Sequence, residues 1–198
     1  SGISGNWLVD STDLGNELVS NTTAAYNTLN PSMSFDSDGW SITSGAGTKN
    51  ATGNTYVGWS FRKAEKFFDV VTYTGTGVAN NVAHSIGAVP GFIVCKATST
   101  TSNWGAVHSS IDTYGISLNT TNAGVNKYAA SGSTSTTFNP NEISDHLGAS
   151  MNLNGVTYVA YLFASDAGGF GDDGSESVIK CGSFTTDAQA KASAPRNS

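Results

Sequence analysis

Charged residues are scarce in this sequence. Only 12% of its 198 residues are Asp, Glu, Lys or Arg, and the formal net charge is -6. An average soluble domain carries roughly 25% charged residues. Sequence-independent binding to a phosphate backbone depends on clustered Lys and Arg, which this composition does not offer. Nucleic acid is therefore not expected among the partners.

Long apolar runs are missing as well. No stretch approaches the roughly 18 consecutive apolar residues that a membrane-spanning helix needs. Residues 1–11 also lack the charged and apolar regions of a signal peptide. The sequence therefore predicts no membrane partner.

Cysteine is limited to Cys95 and Cys181, each of which lies in an apolar, strand-like run. This placement favours free thiols that act as small buried hydrophobic side chains over a disulfide, and it leaves the redox compartment open.

Gly, Ser, Thr and Asn are abundant, as in extracellular all-β proteins. Alternating apolar residues with β-branched or aromatic enrichment predict strands, and Gly-containing turns such as Asn154-Gly155 separate them. The fold class predicted is all-β, an antiparallel β-sandwich or jelly roll with at most one short helix. That helix would cover residues 11–19, with Leu14 and Leu18 on one face. The predicted strands are 55–61, 68–73, 91–96, 103–108, 157–163 and 177–184.

The chain repeats itself about one hundred residues along. Asn6-Trp7 recurs as Asn103-Trp104, Asn21-Thr22-Thr23 recurs as Asn119-Thr120-Thr121, and the aromatic run at 55–61 recurs at 157–163. Solenoid repeats are about 20 to 50 residues long, so this spacing indicates tandem or intertwined domains. Insertions in loops explain why the spacing drifts.

The repeat divides the chain unevenly. Residues 1–65 form a partial unit and 66–165 a full unit, while 166–186 begin a further unit or supply an exchanged strand. Residues 187–198 are expected to be a flexible tail. We expect the chain to be a fragment of a longer polypeptide, or a subunit whose incomplete half is completed by a neighbour.

Several segments in this order resemble a known repeat domain. They include Asn6-Trp7-Leu8-Val9, Ser34-Phe35-Asp36-Ser37-Asp38-Gly39-Trp40, Val71-Thr72-Tyr73-Thr74-Gly75 and the run from His84 to Val94. The series resembles the repeat domain of virion structural proteins, often tail-fibre or appendage proteins, of tailed bacteriophages. The resemblance covers roughly residues 5–187. It implies a β-rich virion component and carries over no active-site residues.

No constellation of residues predicts catalysis. His84, His108 and His146 are spread along the chain without the tight grouping that zinc requires. His84 is expected to stabilise a turn. No Gly-x-Ser-x-Gly segment is present, and the carboxylates show no motif that pairs them for glycan cleavage. We predict that the protein is not an enzyme and needs no cofactor.

Two Asp-Gly loops leave calcium open as an alternative. Asp36 and Asp38 in one loop, and Asp172 and Asp173 in the other, combine oxygen ligands with a Gly turn. Neither loop continues to the bidentate Glu of an EF-hand. A simple Asp-Gly turn is the favoured interpretation of both.

The four tryptophans raise the question of sugar stacking. Trp7, Trp59 and Trp104 lie in apolar strand-like runs and are expected in the core, whereas Trp40 follows Asp38-Gly39 and is the exposed candidate for glycan contact.

Two functions follow from the sequence. The first is a structural virion protein, located in the virion as a tail-fibre, appendage or capsid-decoration component. It would contact copies of itself, other virion proteins and a host-surface glycan. The second is a carbohydrate-binding adhesin module. Low charge suits the first, because dense packing of subunits penalises unpaired buried charge.

Overall fold

The computed structural model of the chain describes residues 6–13, 15–28, 33–42, 49–111, 114–122, 124–126, 132–144 and 150–185. Thirteen strands lie within these residues, and the pairings between them are antiparallel. Two 3₁₀ turns, Ser109–Ile111 and Pro140–Glu142, lie among them, and no helix of the described chain has the length and apolar character to cross a membrane. The predicted all-β fold is confirmed. The strands are β1 Trp7–Leu8, β2 Asn16–Val19, β3 Asn27–Thr28, β4 Met33–Phe35, β5 Trp40–Ile42, β6 Phe68–Thr74, β7 Val82–Ala83, β8 Phe92–Ala97, β9 Gly105–His108, β10 Tyr114–Ser117, β11 Val125–Asn126, β12 Thr137–Phe138 and β13 Thr157–Phe163.

A six-stranded sheet in the order β11-β10-β9-β8-β13-β6 is the centre of the fold. Strand β13 lies between β8 and β6 and is buried on both faces. Tyr158, Ala160 and Leu162 contribute to one core, and Val159 and Tyr161 to the other. Because side chains alternate along the strand, β13 contributes to the hydrophobic core on each face of the sheet.

Each face of this sheet is covered by other parts of the chain. On the first face, Ile86, Phe138, Ile143 and Met151 pack on the sheet from β12 and the connecting segments. On the second face, Leu18 of β2 is fully buried against residues of β6, β8, β9 and β13. The arrangement is sandwich-like, as predicted.

The sequence repeat is also a repeat of structure. The sheet β1-β2-β3 and the run β9-β10-β11 are both antiparallel three-strand meanders. Trp7 pairs with Val19 in the first, and Gly105 pairs with Ser117 in the second, 98 residues further along both strands. The next pairing repeats with the same shift, since Glu17 faces Asn27 and Gly115 faces Val125.

The first meander is fastened to the main sheet by polar contacts as well as by Leu18. The indole Nε1 of Trp104 donates to the carbonyl oxygens of Val19 (3.3 Å) and Thr22 (3.1 Å). The Tyr161 hydroxyl donates to Oδ2 of Asp10 over 2.6 Å. The two copies therefore share a core.

Four of the predicted strands are confirmed with small changes of boundary, at β6, β8, β9 and β13. Two are wrong. Residues 55–61 lie in no sheet of the described chain. Residues 177–184 form no strand there either; the nearest pairing is an isolated bridge between Phe170 and Glu176.

The short helix predicted at 11–19 is also wrong, because Asn16–Val19 is strand β2. Gly15 interrupts any helical run, and the carboxylate of Asp13 accepts hydrogen bonds from the Gly15 amide and the Asn16 side chain. That local turn directs the chain into the meander. Leu14, like the predicted tail at 187–198, lies outside the described residues.

Lys96 is a fully buried lysine on β8. Its Nζ donates to the carbonyl oxygens of Thr23 (3.2 Å) and Ala97 (3.0 Å) and to the Ser102 hydroxyl (3.3 Å). Burial lowers the pKa of Lys96 to about 8, because the charged form loses its hydration.

This lowered pKa predicts a pH dependence of stability. Between about pH 8 and the ordinary lysine pKa near 10.4, the unfolded chain binds more protons at this site than the folded chain, so stability rises with pH. The free energy of unfolding of the wild type, relative to Lys96→Met, should rise by about 1 kcal/mol from pH 8 to pH 9. Urea denaturation of both proteins at several pH values measures this. Parallel pH profiles would contradict the assignment.

Candidate functional site: an exposed aromatic segment

Residues 55–61, hereafter the aromatic segment, are extended and exposed. Val57 is 86% exposed and Trp59 82% exposed, and the side chains of Tyr56 and Phe61 are each about half exposed. Isolated exposed apolar residues are normal, but several in one short segment mark an interaction surface. The segment is the strongest candidate functional site in the described chain.

The counterpart of the aromatic segment in the repeat is β13, which lies between two neighbouring strands. The seven residues of β13 pair with β6 along their full length and with β8 along most of it, and Tyr158 to Leu162 are all buried. The aromatic segment thus has the sequence of a central strand, but it has no flanking strand among the described residues. Its residues are exposed where those of β13 are buried.

Both ends of the aromatic segment are held in place. The ring of Phe61 packs on the rings of Phe68 and Phe163, each at 5.8 Å between centroids. Near the other end, the Tyr56 hydroxyl accepts a hydrogen bond from the Ala51 amide over 3.1 Å. The Phe61 end of the segment is therefore anchored on the main sheet.

Trp40 belongs to the same surface. It lies on the β4–β5 hairpin opposite Phe35, and both side chains are exposed, Trp40 at 37%. The indole lies against Gly58, where an added Cβ would stand 2.4 Å from Cζ2 of Trp40. Only glycine allows the ring so close to the backbone. The prediction that Trp40 is exposed is confirmed.

The other tryptophans divide between core and surface. Trp104 is 2% exposed, as expected of a core residue, and Trp7 is half-buried with Nζ of Lys49 5.2 Å from its ring centroid. The expectation that Trp59 lies in the core is wrong. Its apolar context is that of a central strand, and the sequence pattern does not reveal that the segment joins no sheet in the described part of the chain.

The acidic loops proposed for calcium form turns. The Asp36 carboxylate accepts hydrogen bonds from the hydroxyls of Ser34 (3.2 Å) and Ser41 (2.5 Å), and the Asp36 amide donates to Gly39 across the β4–β5 hairpin. Asp38 is exposed at the tip of that hairpin.

The second loop is similar. Asp173 accepts from the amide and hydroxyl of Ser175, and these bonds lower its pKa, while Asp172 is exposed beside it. Within the described ranges, no group of three or more His, Cys, Asp or Glu side chains could hold a metal ion.

A polar cluster around Asp69 lines an open depression on the first face of the main sheet. Asp69 is buried, pairs with Nζ of Lys63 at 3.1 Å, and accepts from the amide (2.8 Å) and hydroxyl (2.9 Å) of Ser85. Burial alone would raise the pKa of Asp69, but the bonds from Ser85 and Lys63 outweigh it and hold the pKa below its ordinary value.

This cluster does not assemble a nucleophile with a base. The Ser85 hydroxyl donates directly to a carboxylate that is already paired with Lys63. His84 accepts the Ile86 amide through Nδ1 at 3.3 Å, which confirms its expected role in a turn, and burial lowers its pKa. These hydrogen bonds stabilise a turn beside β6 and do not form a catalytic arrangement.

The remaining histidines and the thiols complete the set of reactive groups. His108 is half-buried and accepts the Ser110 amide at 3.1 Å, while His146 lies outside the described residues. Both cysteines are free, as predicted. Cys95 is buried and burial raises its pKa to about 12, whereas Cys181 is half-buried and has a raised pKa for the same reason.

Comparison with known proteins gives a family match, which extends across both copies of the repeat. The family model described as a domain of unknown function, DUF7483, matches residues 3–178, which include the aromatic segment and the whole main sheet. No curated protein and no solved structure matches the chain. The chain belongs to the DUF7483 family of domains of unknown function.

Proposed function

We propose that this protein is a non-enzymatic structural component of a bacteriophage virion, a tail-fibre, appendage or capsid-decoration protein that works by assembly. The observation that carries the assembly role is the aromatic segment, whose exposed Val57 and Trp59 stand where the repeat counterpart is buried. The virion setting rests on the resemblance of the ordered segments to phage repeat domains. The low charge suits the close packing of identical subunits.

The location is tested by imaging purified phage particles with gold-labelled antibody against this chain. Label along tail fibres or capsid projections is the expected result, with particles of an unrelated phage as the control. Particles free of label, in a preparation where the chain is detected outside them, would overturn the virion role.

A carbohydrate-binding module is the second candidate, because exposed indole faces stack on sugar rings. Trp40 and Trp59 are both exposed, and Trp40 lies against Gly58, the residue before Trp59. On this alternative, Trp40→Ala and Trp59→Ala each abolish binding to host polysaccharide, and the matched aliphatic change Val57→Ala leaves it unchanged. Absence of polysaccharide binding by the intact chain would remove this candidate.

A further inference from the structure

We propose that residues 178–185 of a second copy of this chain add to the aromatic segment as an antiparallel strand, so that copies associate head to tail. The inference rests on the proposed assembly function and names the partner and the register. Three observations carry it: the pairing of β13 with β6, a second β6-like sequence in the chain, and the exposure of both segments.

The first observation is how the repeat counterpart is paired. Strand β13 runs antiparallel to β6 from Thr157 opposite Thr74 to Phe163 opposite Phe68 without a break. The aromatic segment repeats the sequence of β13, with aromatic residues at Tyr56 and Phe61 where β13 has Tyr158 and Phe163. A segment of this kind is therefore suited to an antiparallel β6-like neighbour.

The second observation is that the chain carries another β6-like sequence. Ser183-Phe184-Thr185 repeats the pattern hydroxyl, aromatic, hydroxyl of Thr72-Tyr73-Thr74 at the end of β6. Extending the alignment backwards places Ile179 at the position of Phe68 and Cys181 at that of Val70. Residues 178–185 are thus a candidate β6-type partner for the aromatic segment.

The third observation is that both segments are exposed at once. Phe184 is 58% exposed and Val57 86% exposed, and neither segment enters a sheet of the described chain. The two segments are therefore not paired with each other within one copy. The chain presents both halves of a β13–β6 pair, and a second copy joins them by strand addition.

The repeat also fixes the register of the contact. Transferring the β13–β6 pairing places Tyr56 opposite Phe184, Val57 opposite Ser183 and Ser60 opposite Lys180. The rings of Tyr158 and Tyr73 are stacked at 5.1 Å between centroids and 12° between planes. The same stacking is expected between Tyr56 of one copy and Phe184 of the next.

Two main-chain contacts of the 178–185 segment indicate which of its edges would pair with the aromatic segment. The carbonyl of Ile179 accepts from the Asp166 amide, and the Cys181 amide donates to the Ser165 hydroxyl. In an extended strand, residues two apart direct their main-chain groups to the same side. In the proposed strand, the main-chain groups of Lys180, Gly182 and Phe184 lie on the side opposite these two contacts and pair with the aromatic segment.

A contact between two different surfaces is heterologous, so each copy can bind one neighbour at either end. Such association produces closed rings where the rotation between copies closes, and open chains of subunits where it does not. The open arrangement suits an elongated appendage.

Disulfide trapping between two separately prepared full-length chains tests the register. Both carry Cys181→Ser; one carries Val57→Cys and the other Ser183→Cys, while Cys95 is kept because it is fully buried. Directly opposite residues in an antiparallel pair stand about 4.5 to 5.5 Å apart at Cα, within the range for a disulfide. The mixture is expected to give a covalent heterodimer, and neither chain alone should do so.

The matched control uses the same partner three residues out of register. Ser60→Cys mixed with Ser183→Cys should give no heterodimer, because the two positions are then about 10 Å apart along the strand. Ser60→Cys mixed with Lys180→Cys should give it. Absence of heterodimer in the matched pairs, or equal yield in the offset pair, would overturn the proposal.

Sedimentation measures the association independently of cross-linking. Val57→Asp and Phe184→Asp place a charge in either half of the contact, at positions exposed enough to leave folding intact. Each variant alone should be monomeric at concentrations where the wild type associates, and their equimolar mixture should form a one-to-one dimer through the two intact surfaces. Wild-type association that persists in both variants would overturn the proposal.

The outcomes also separate this inference from the proposed function. Labelled particles without strand trapping would refute only the contact between copies. Strand trapping without label on particles would keep the contact and refute the virion location.

Discussion

Replacing Trp104 with alanine is expected to lower the free energy of unfolding by about 4 kcal/mol. The indole is buried between the main sheet and the first meander, where it packs with Leu18 and stacks on Tyr161 at 6.4 Å between ring centroids. Alanine would leave a cavity there and remove the hydrogen bonds to the carbonyls of Val19 and Thr22. Urea denaturation followed by circular dichroism measures the loss.

The matched control is Trp104→Phe, which keeps most of the apolar volume, removes the N–H donor and leaves a smaller cavity than alanine does. Its loss should be about 1 to 2 kcal/mol, since two partly buried carbonyls lose a partner. Hydrogen exchange should also show earlier opening of β2 in the alanine variant. A loss below about 1 kcal/mol for Trp104→Ala would mean that the first meander does not depend on this contact.

Replacing Lys49 with methionine is expected to lower the free energy of unfolding by about 3 to 5 kcal/mol. Nζ of Lys49 lies 2.8 Å from Oε2 of Glu17, and each side chain is only 8% exposed. Removing the cation leaves the Glu17 carboxylate buried without its counter-charge. Chemical denaturation at pH 7 measures the effect.

The double variant Glu17→Gln with Lys49→Met is the control for this prediction. It removes both charges, so most of the lost stability should return, because a buried pair stabilises far less than an uncompensated buried charge destabilises. If the double variant is as unstable as Lys49→Met, then packing on Trp7, rather than charge, explains the loss.

Sequence patterns predicted four of the six strands of the main sheet, and β10 and β11 were not among the predicted strands. Strand β13 was predicted at residues 157–163 and lies there, because β6 and β8 flank it and both of its faces are buried. The aromatic segment has the same pattern and was assigned to a strand by the same reasoning. Alternation and aromatic content report what a segment can pack against, and do not report whether that partner is present.

The candidate surface was predicted only in part for the same reason. Trp40 was expected to be exposed because it follows a turn, which is a local feature. Trp59 was expected to be buried, and its exposure depends on tertiary structure. The contact of Trp40 with Gly58 joins the hairpin to the aromatic segment, and nothing in the spacing of these residues reveals it.

Leu18 of the first meander packs on the main sheet, and this contact limits where the chain can be divided into separate pieces. The two meanders of the repeat have different places in the fold. The meander β9-β10-β11 is part of the main sheet, while β1-β2-β3 covers one face of it. A cut at the predicted boundary between residues 65 and 66 would divide a core, because Leu18 packs with residues of the main sheet. In this protein the unit that was duplicated and the unit that folds are different lengths of chain.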